Sequence, residues 1–248
     1  MEGESRSAQS ASQRNMIVSD AIPDLPVIPD AGLRQTADSI AGLGLAGAQQ
    51  LKDLIEQLGD SGWYSQASNY SMKLASLEPV ARNFLVAGAY CRNSLALPEI
   101  SADTALFGYF SRNAIAWLLK AREGDPENED AGIELALAYL DSRNPQNSMK
   151  GIMLFKEILE KNPDNEEAAF QLARSAKQVR KNDRAGELFR EVLRINPANL
   201  EAKWELATLL LDMQDMEGSR KLLIELKDQE ADQMLASAAA ELLEKIKK

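Results

Sequence analysis

The feature that most constrains this chain is a spacing. The phrases FKEILEKNP and FREVLRINP each close an amphipathic run, and their prolines, Pro163 and Pro197, stand 34 residues apart. Phe155 and Phe189 keep the same interval, Gly151 falls opposite Ala185, and Ile158 falls opposite Val192. One recurring turn signal would say little, but four positions recurring together define a unit. Each position has a physical role. A small residue at 151 or 185 lets two helices approach, and the aromatic four residues later fills the space beside them. Proline then stops the helix, because it lacks the amide hydrogen that another turn needs.

The rest of the chain can be set on this frame. From about Leu33 the apolar residues recur with helical spacing, and no alternating strand pattern competes. Stops occur at Gly59–Gly62, Leu97–Glu99, Gly124–Pro126, Asn144–Pro145, Asn162–Pro163, Asn182–Asp183 and Asn196–Pro197. Short helices between such turns form antiparallel pairs, and pairs repeated at a fixed period stack on one another. The frame predicts units at 48–80, 81–128, 129–165, 166–199 and 200–230, with a last helix near 232–247 covering the stack. The second unit carries an insertion, Asn93 to about Phe107, that the frame places as a lengthening of both its helices. The expected fold is all-α: a right-handed α-solenoid of about five helix pairs plus a C-terminal capping helix.

Leu172–Ala173, Ala176, Ala185, Phe189, Val192 and Pro197 occupy the small, aromatic and proline offsets of a known unit, and the chain resembles the tetratricopeptide repeat in this respect. The likeness covers roughly residues 48–247 and is most specific over 129–226. It implies a groove, lined by positions 2, 5, 9, 12 and 13 of each first helix, that holds a peptide. In this sequence those positions include Arg82, Leu85, Arg92, Ile133, Leu137, Phe170, Arg174, Lys177, Trp204, Thr208 and Leu211. Apolar anchors flanked by a few charges suit an extended or helical peptide. A further resemblance rests on NPQNSMKGIMLFKEILEKNPDN (144–165), on the inserted unit before it and on the plain units after it. This arrangement is similar to membrane-anchored tetratricopeptide proteins of the Bacteroidota. It implies a place in the cell envelope, on the periplasmic face with an anchor upstream of this chain; without such an anchor the chain is expected in the cytoplasm.

Composition narrows the chemistry. The chain has no histidine, which removes the commonest general base, the usual zinc ligand and every Ser-His or Cys-His pair. Its single cysteine, Cys91, cannot form an internal disulfide or a cysteine-cluster metal site and reads as a buried thiol. A formal charge of −10 repels phosphates, so nucleic acid is not an expected partner, and no direct membrane contact by the repeats is expected. No cofactor, metal or catalytic residue is expected, and the chain does not read as an enzyme.

Three patterns invite other readings. Gly42, Gly44 and Gly47 match G-x-G-x-x-G, yet the preceding DSIAGL is no buried strand, so the stretch reads as a loose helix start or hinge. The acidic run Glu123 to Asp130 lacks glycine at the sixth place of a calcium loop and reads as acids meeting a helix N-terminus. A carboxylate clamp of the chaperone-tail type needs Lys and Asn where Leu85 or Ile133 and Ala89 or Leu137 stand.

Residues 1–32 form a separate N-terminal arm in this reading. The first 15 are polar and small, with nothing to bury and no apolar core for a translocon. Pro23, Pro26 and Pro29 then recur every third residue, the period of a polyproline II segment, which suits a stiff linker or a docking arm. Residues 33–248 form the repeat domain. The leading expectation is a scaffold or adaptor that holds a protein or peptide segment in its groove. The alternative is a structural, self-assembling subunit of a cell-envelope complex, a homo-oligomer joined through the arm or the groove.

Overall fold

A computed structural model describes residues 31–40, 44–229 and 232–246. The polyproline-like arm lies outside the described residues up to position 30; Ala31 and Gly32, assigned to it above, open the first helix instead. Among the described residues there are thirteen α-helices and one 3-10 turn, and no strand. The chain divides into two compact units, Met1–Gly151 and Ile152–Lys248.

The first unit begins with α1 (Ala31–Ile40), the 3-10 turn Gly44–Gly47 and α2 (Ala48–Asp60). It continues with α3 (Tyr64–Leu77), α4 (Ala81–Ser94), α5 (Pro98–Ala102), α6 (Thr104–Gly124) and α7 (Glu129–Asp141), and takes in the start of α8 (Pro145–Lys161). Helical apolar spacing puts Leu51, Leu54, Ile55 and Leu58 on one face of α2, where they cluster with Ala37 and Ile40 of α1 and Ala67 and Leu74 of α3. Further along, α4 packs on α3 and α6, and α6 on α7.

The inserted segment behaves differently from the expectation. It leaves α4 at 14 residues, turns at Leu95–Leu97, forms the short α5, and lengthens only α6, to 21 residues. The cause is local. Pro98 cannot continue a helix but fits the first position of a new one, and it starts α5. Asp103 then caps α6 by accepting hydrogen bonds from the amides of Ala105 and Leu106. Ile100, fully buried, pins α5 to the core.

The second unit holds the remainder of α8, then α9 (Glu166–Gln178), α10 (Asn182–Ile195), α11 (Leu200–Asp212), α12 (Met216–Lys227) and α13 (Gln233–Lys245). Each of α9 to α13 packs on its chain neighbour. Phe189 and Val192 of α10, both fully buried, join Ala173, Ala176, Leu206 and Leu209 in one cluster. Leu223 and Leu226 of α12 join Ala239 and Leu243 of α13 in another. Consecutive helix pairs stacked on their neighbours are the α-solenoid class that the 34-residue period implies.

Two backbone turns recur and set the period. After α6, α8 and α10 the chain reads Asp125-Pro-Glu-Asn128, Asn162-Pro-Asp-Asn165 and Asn196-Pro-Ala-Asn199. In each, the last Asn caps the next helix, accepting from the amide of Ala131, Ala168 or Ala202 at 2.7–3.0 Å. Within the pairs, α2, α9 and α11 end alike, in a Schellman turn. The amides of Trp63, Lys181 and Asp215 reach back to the carbonyls of Leu58, Ala176 and Leu210, at 2.8–2.9 Å. The residue before each of them, Gly62, Arg180 or Gln214, has a left-handed φ of 77°, 57° or 64°.

Candidate functional site

The face implied by the resemblance belongs to the first helix of each pair. Those helices start at Ala81, Glu129, Glu166 and Leu200, so the counted positions fall in register. In the first unit α4 lies against α7; in the second, α9 lies against α11. The helix-pair core takes positions 7 and 8: Ala87 and Gly88, Leu135 and Ala136, Ala173, Leu206 and Ala207 are all buried, as is Leu172.

Position 5 varies. Leu85 and Ile133 are half-buried, as is Leu137 at position 9 of α7, so each keeps part of its apolar surface open. Phe170 differs: it is 4% exposed, and its ring meets Phe189 edge-on at 5.9 Å inside the core. The groove role expected for Phe170 is thus taken over by packing, because the aromatic of the following helix stands beside it. Trp204 is half-buried and packs on the Leu223–Leu226 cluster. Leu211 is half-buried, and Arg82 and Arg174 are exposed. The Arg174 guanidinium lies 5.8 Å from the centre of the Phe170 ring.

The basic residues at position 12 are engaged within the chain. Arg92 donates to Glu134 at 2.8 Å and to Asp141 at 3.4 Å. Burial works against its charge, but the hydrogen bond and charge of Glu134, together with those of Asp141, outweigh it and raise its pKa. Lys177 donates to the Glu205 carboxylate at 2.7 Å and to the Thr208 hydroxyl at 2.8 Å. In both units a cation at position 12 binds a glutamate at position 6 of the next first helix. The expected groove residues Arg92, Lys177 and Thr208 therefore tie neighbouring pairs together. No local pattern signals this pairing, because the partners lie 42 and 28 residues away.

The family model for the tetratricopeptide repeat matches residues 177–246. Solved structures extend the likeness in fold. TTC0263, a thermophilic TPR protein in Thermus thermophilus, is 16% identical with a TM-score of 0.59, over 79% of this chain and 98% of that one. MamA 41-end from Desulfovibrio magneticus RS-1 is 11% identical with a TM-score of 0.57, over 75% and 97%. YrrB, a TPR protein with an unusual peptide-binding site, is 16% identical with a TM-score of 0.50, over 86% and 98%. No curated protein sequence matches the chain.

One concavity of the first unit joins groove positions 12 and 13, Arg92, Asn93 and Asp141, to residues of the insertion. The turn and short helix of the insertion stand beside the end of α7, and between them opens a cleft of about 470 Å³. Leu95, Ala96 and Phe107 give it an apolar wall, and Tyr64, Arg92, Asn93, Asp141 and Arg143 its polar groups. Arg143, with φ of 54°, lays its guanidinium over the Phe107 ring at 3.9 Å. It also donates to the carbonyl and hydroxyl oxygens of Ser101 at 3.3 and 2.9 Å.

The other patterns find structural places. Gly44–Gly47 is the 3-10 turn that leads into α2; residues 41–43 lie outside the described residues. Glu129 and Asp130 stand in the first turn of α7, where acids meet the positive end of the helix dipole. Cys91 is fully buried, and burial pushes its thiol up to about 12 while a hydrogen bond with Ser68 acts the other way to a smaller extent. Such a thiol is not a nucleophile at neutral pH. Among the described residues no group of three or more cysteine or acidic side chains is placed to hold a metal ion, and no helix is long and apolar enough to cross a membrane.

Proposed function

We propose that this chain is a non-enzymatic scaffold whose first-helix face holds a segment of another protein. One observation carries the reading. Position 5 of α4 and positions 5 and 9 of α7, namely Leu85, Ile133 and Leu137, keep apolar surface open, while the residues beside them in the helix-pair core are fully used. Aliphatic surface left open next to exposed Arg82 is what a peptide with both apolar and polar side chains contacts. In the second unit Arg174, Leu211 and the open edge of Trp204 offer a similar mixture. The peptide-binding site of YrrB, on a similar fold, supports this use of the repeat. The resemblance to anchored proteins of the Bacteroidota extends the proposal to a place at the cell envelope.

The test is chemical cross-linking of the full chain in native cells, followed by quantitative capture of the protein it cross-links. Ile133→Glu with Leu137→Glu should leave the far-UV circular dichroism unchanged and reduce capture at least tenfold, a loss of about 1.4 kcal/mol or more. Undiminished capture by a folded double variant refutes the reading.

A further inference from the structure

The cleft made by the insertion holds two arginines, Arg92 and Arg143, in different states. Among the described residues, Lys52, Arg92, Lys177, Arg184, Arg194, Lys203 and Lys221 each contact a carboxylate. In a chain with 38 acidic residues against 28 basic ones this is the expected condition. Arg143 is held instead by Ser101 and by the Phe107 ring. Two of its five N–H donors serve Ser101, which leaves donors of a fixed, planar fork for something else. Stacking on Phe107 and the bonds to Ser101 immobilise the guanidinium in advance, so little side-chain entropy is lost when a ligand binds.

The surroundings indicate what that ligand is. Asn93, one residue beyond Arg92, brings an amide to the same cleft, and Tyr64 a hydroxyl. Leu95, Ala96 and Phe107 bring aliphatic and aromatic surface. The cleft also contains Asp141, which Arg92 reaches at 3.4 Å while its shorter bond goes to Glu134, so the cation left for a ligand is Arg143. A planar cation with open donors, an amide beside it and an apolar wall match a carboxylate next to an aliphatic side chain. About 470 Å³ admits two or three residues of an extended chain.

We propose that this cleft binds an acidic side chain, with a neighbouring aliphatic one, on an extended segment of the partner protein. The carboxylate takes the open donors of Arg143 and the Asn93 amide; the aliphatic side chain lies on Phe107 and Leu95. The inference deepens the scaffold reading and rests on it. It gives the insertion a purpose that the repeat alone does not require, since α5 and the turn before it supply Ser101, Leu95 and Ala96.

The probe is a fluorescein-labelled hexapeptide, Ser-Asp-Leu-Leu-Asp-Ser, amidated at its C-terminus, titrated with the full chain by fluorescence anisotropy. Saturable binding with a Kd on the order of 10–100 µM is expected. The peptide with Asn in place of both Asp residues should bind at least tenfold more weakly. Arg143→Gln should weaken the Asp peptide by a similar factor, and Arg143→Lys by less, because a point charge replaces the fork. Circular dichroism verifies that each variant is folded. Equal binding of the Asp and Asn peptides, or of the wild-type chain and Arg143→Gln, overturns the proposal. A fourth protein, with Asp20→Asn, Asp24→Asn and Asp30→Asn in the full chain, tests the source of the ligand. If it binds the Asp peptide tenfold more tightly than the wild type, this chain's own acidic segment fills the cleft and a partner-supplied ligand is ruled out. Unchanged affinity in that protein supports the partner. If Ile133 and Leu137 govern capture while Arg143 does not affect the peptide, this inference alone fails and the scaffold reading stands.

Discussion

Gln214 and Arg180 occupy a position where glycine would serve better. Both have left-handed φ, 64° and 57°, in the turn that closes the first helix of their pair, and the equivalent position after α2 is Gly62. An L-residue there brings its Cβ close to a carbonyl, at roughly 1–2 kcal/mol, whereas glycine loses more chain entropy on folding, about 0.5–1 kcal/mol. The first effect is the larger. Gln214 is exposed, and the bonds of its turn run through the backbone, Gln214 N–H to Leu211 and Asp215 N–H to Leu210, so no side-chain interaction offsets the gain. Gln214→Gly should therefore raise stability by about 0.5–1 kcal/mol, seen as a higher urea midpoint at unchanged slope. A lower midpoint would mean that the side chain has a role the turn geometry does not reveal. At this scale much of the candidate site was hidden in the sequence. Counting from the repeat located the first-helix face, but the role of each residue depends on partners far along the chain. Phe170 became a core residue because Phe189 meets it, and Lys177 became a tie because Glu205 reaches it.

Helices were easier to read than side chains. The Asn-Pro turns and the 34-residue interval are local signals, and each Asn cap acts on an amide three residues ahead, so pattern alone marks the boundaries. The insertion escaped that reading because its outcome hangs on Pro98 starting a new helix and on Ile100 finding a buried seat, and no period announces either. The small positions of the frame can be tested directly. In α4, a Cβ on Gly88 would meet the Leu118 side chain of α6 and come within 3.1 Å of the Leu118 amide nitrogen. Leu118 is fully buried, so it has no space into which to retreat. Gly88→Ala should destabilise the protein by about 1–3 kcal/mol, the usual cost of overpacking, despite the better helix propensity of alanine. Equilibrium urea unfolding measures it. A stabilised Gly88→Ala protein would show that α4 and α6 separate without penalty, which the packing contradicts.

At the scale of the whole molecule the decisive question is how a stack of repeats ends. Each pair covers the apolar face of the one before, so the last pair needs a cover that is not itself a repeat. In this chain α13 provides it. Ala239 and Leu243 seal Leu223 and Leu226, both fully buried, while Gln233, Met234, Ser237, Glu241, Glu244 and Lys245 remain exposed. Asp232 starts the helix by capping Leu235, so α13 is specified by its own sequence as well as by its contacts. Ending the chain at Gln229 removes that cover. Uncovering the two leucines sacrifices on the order of 3 kcal/mol of apolar burial, at about 1.5–3 kcal/mol for each fully buried side chain. It also creates an apolar patch next to Ile224, which is already 48% exposed. The shortened chain should lose helicity at a lower temperature and self-associate in a concentration-dependent way, as seen by static light scattering beside the full chain. Leu223→Lys with Leu226→Lys in the shortened chain should abolish the association while leaving the lower melting temperature, because charges on the open face repel another copy but do not restore the cover. A shortened chain that stayed monomeric and melted like the full one would show that α13 covers nothing the stack requires.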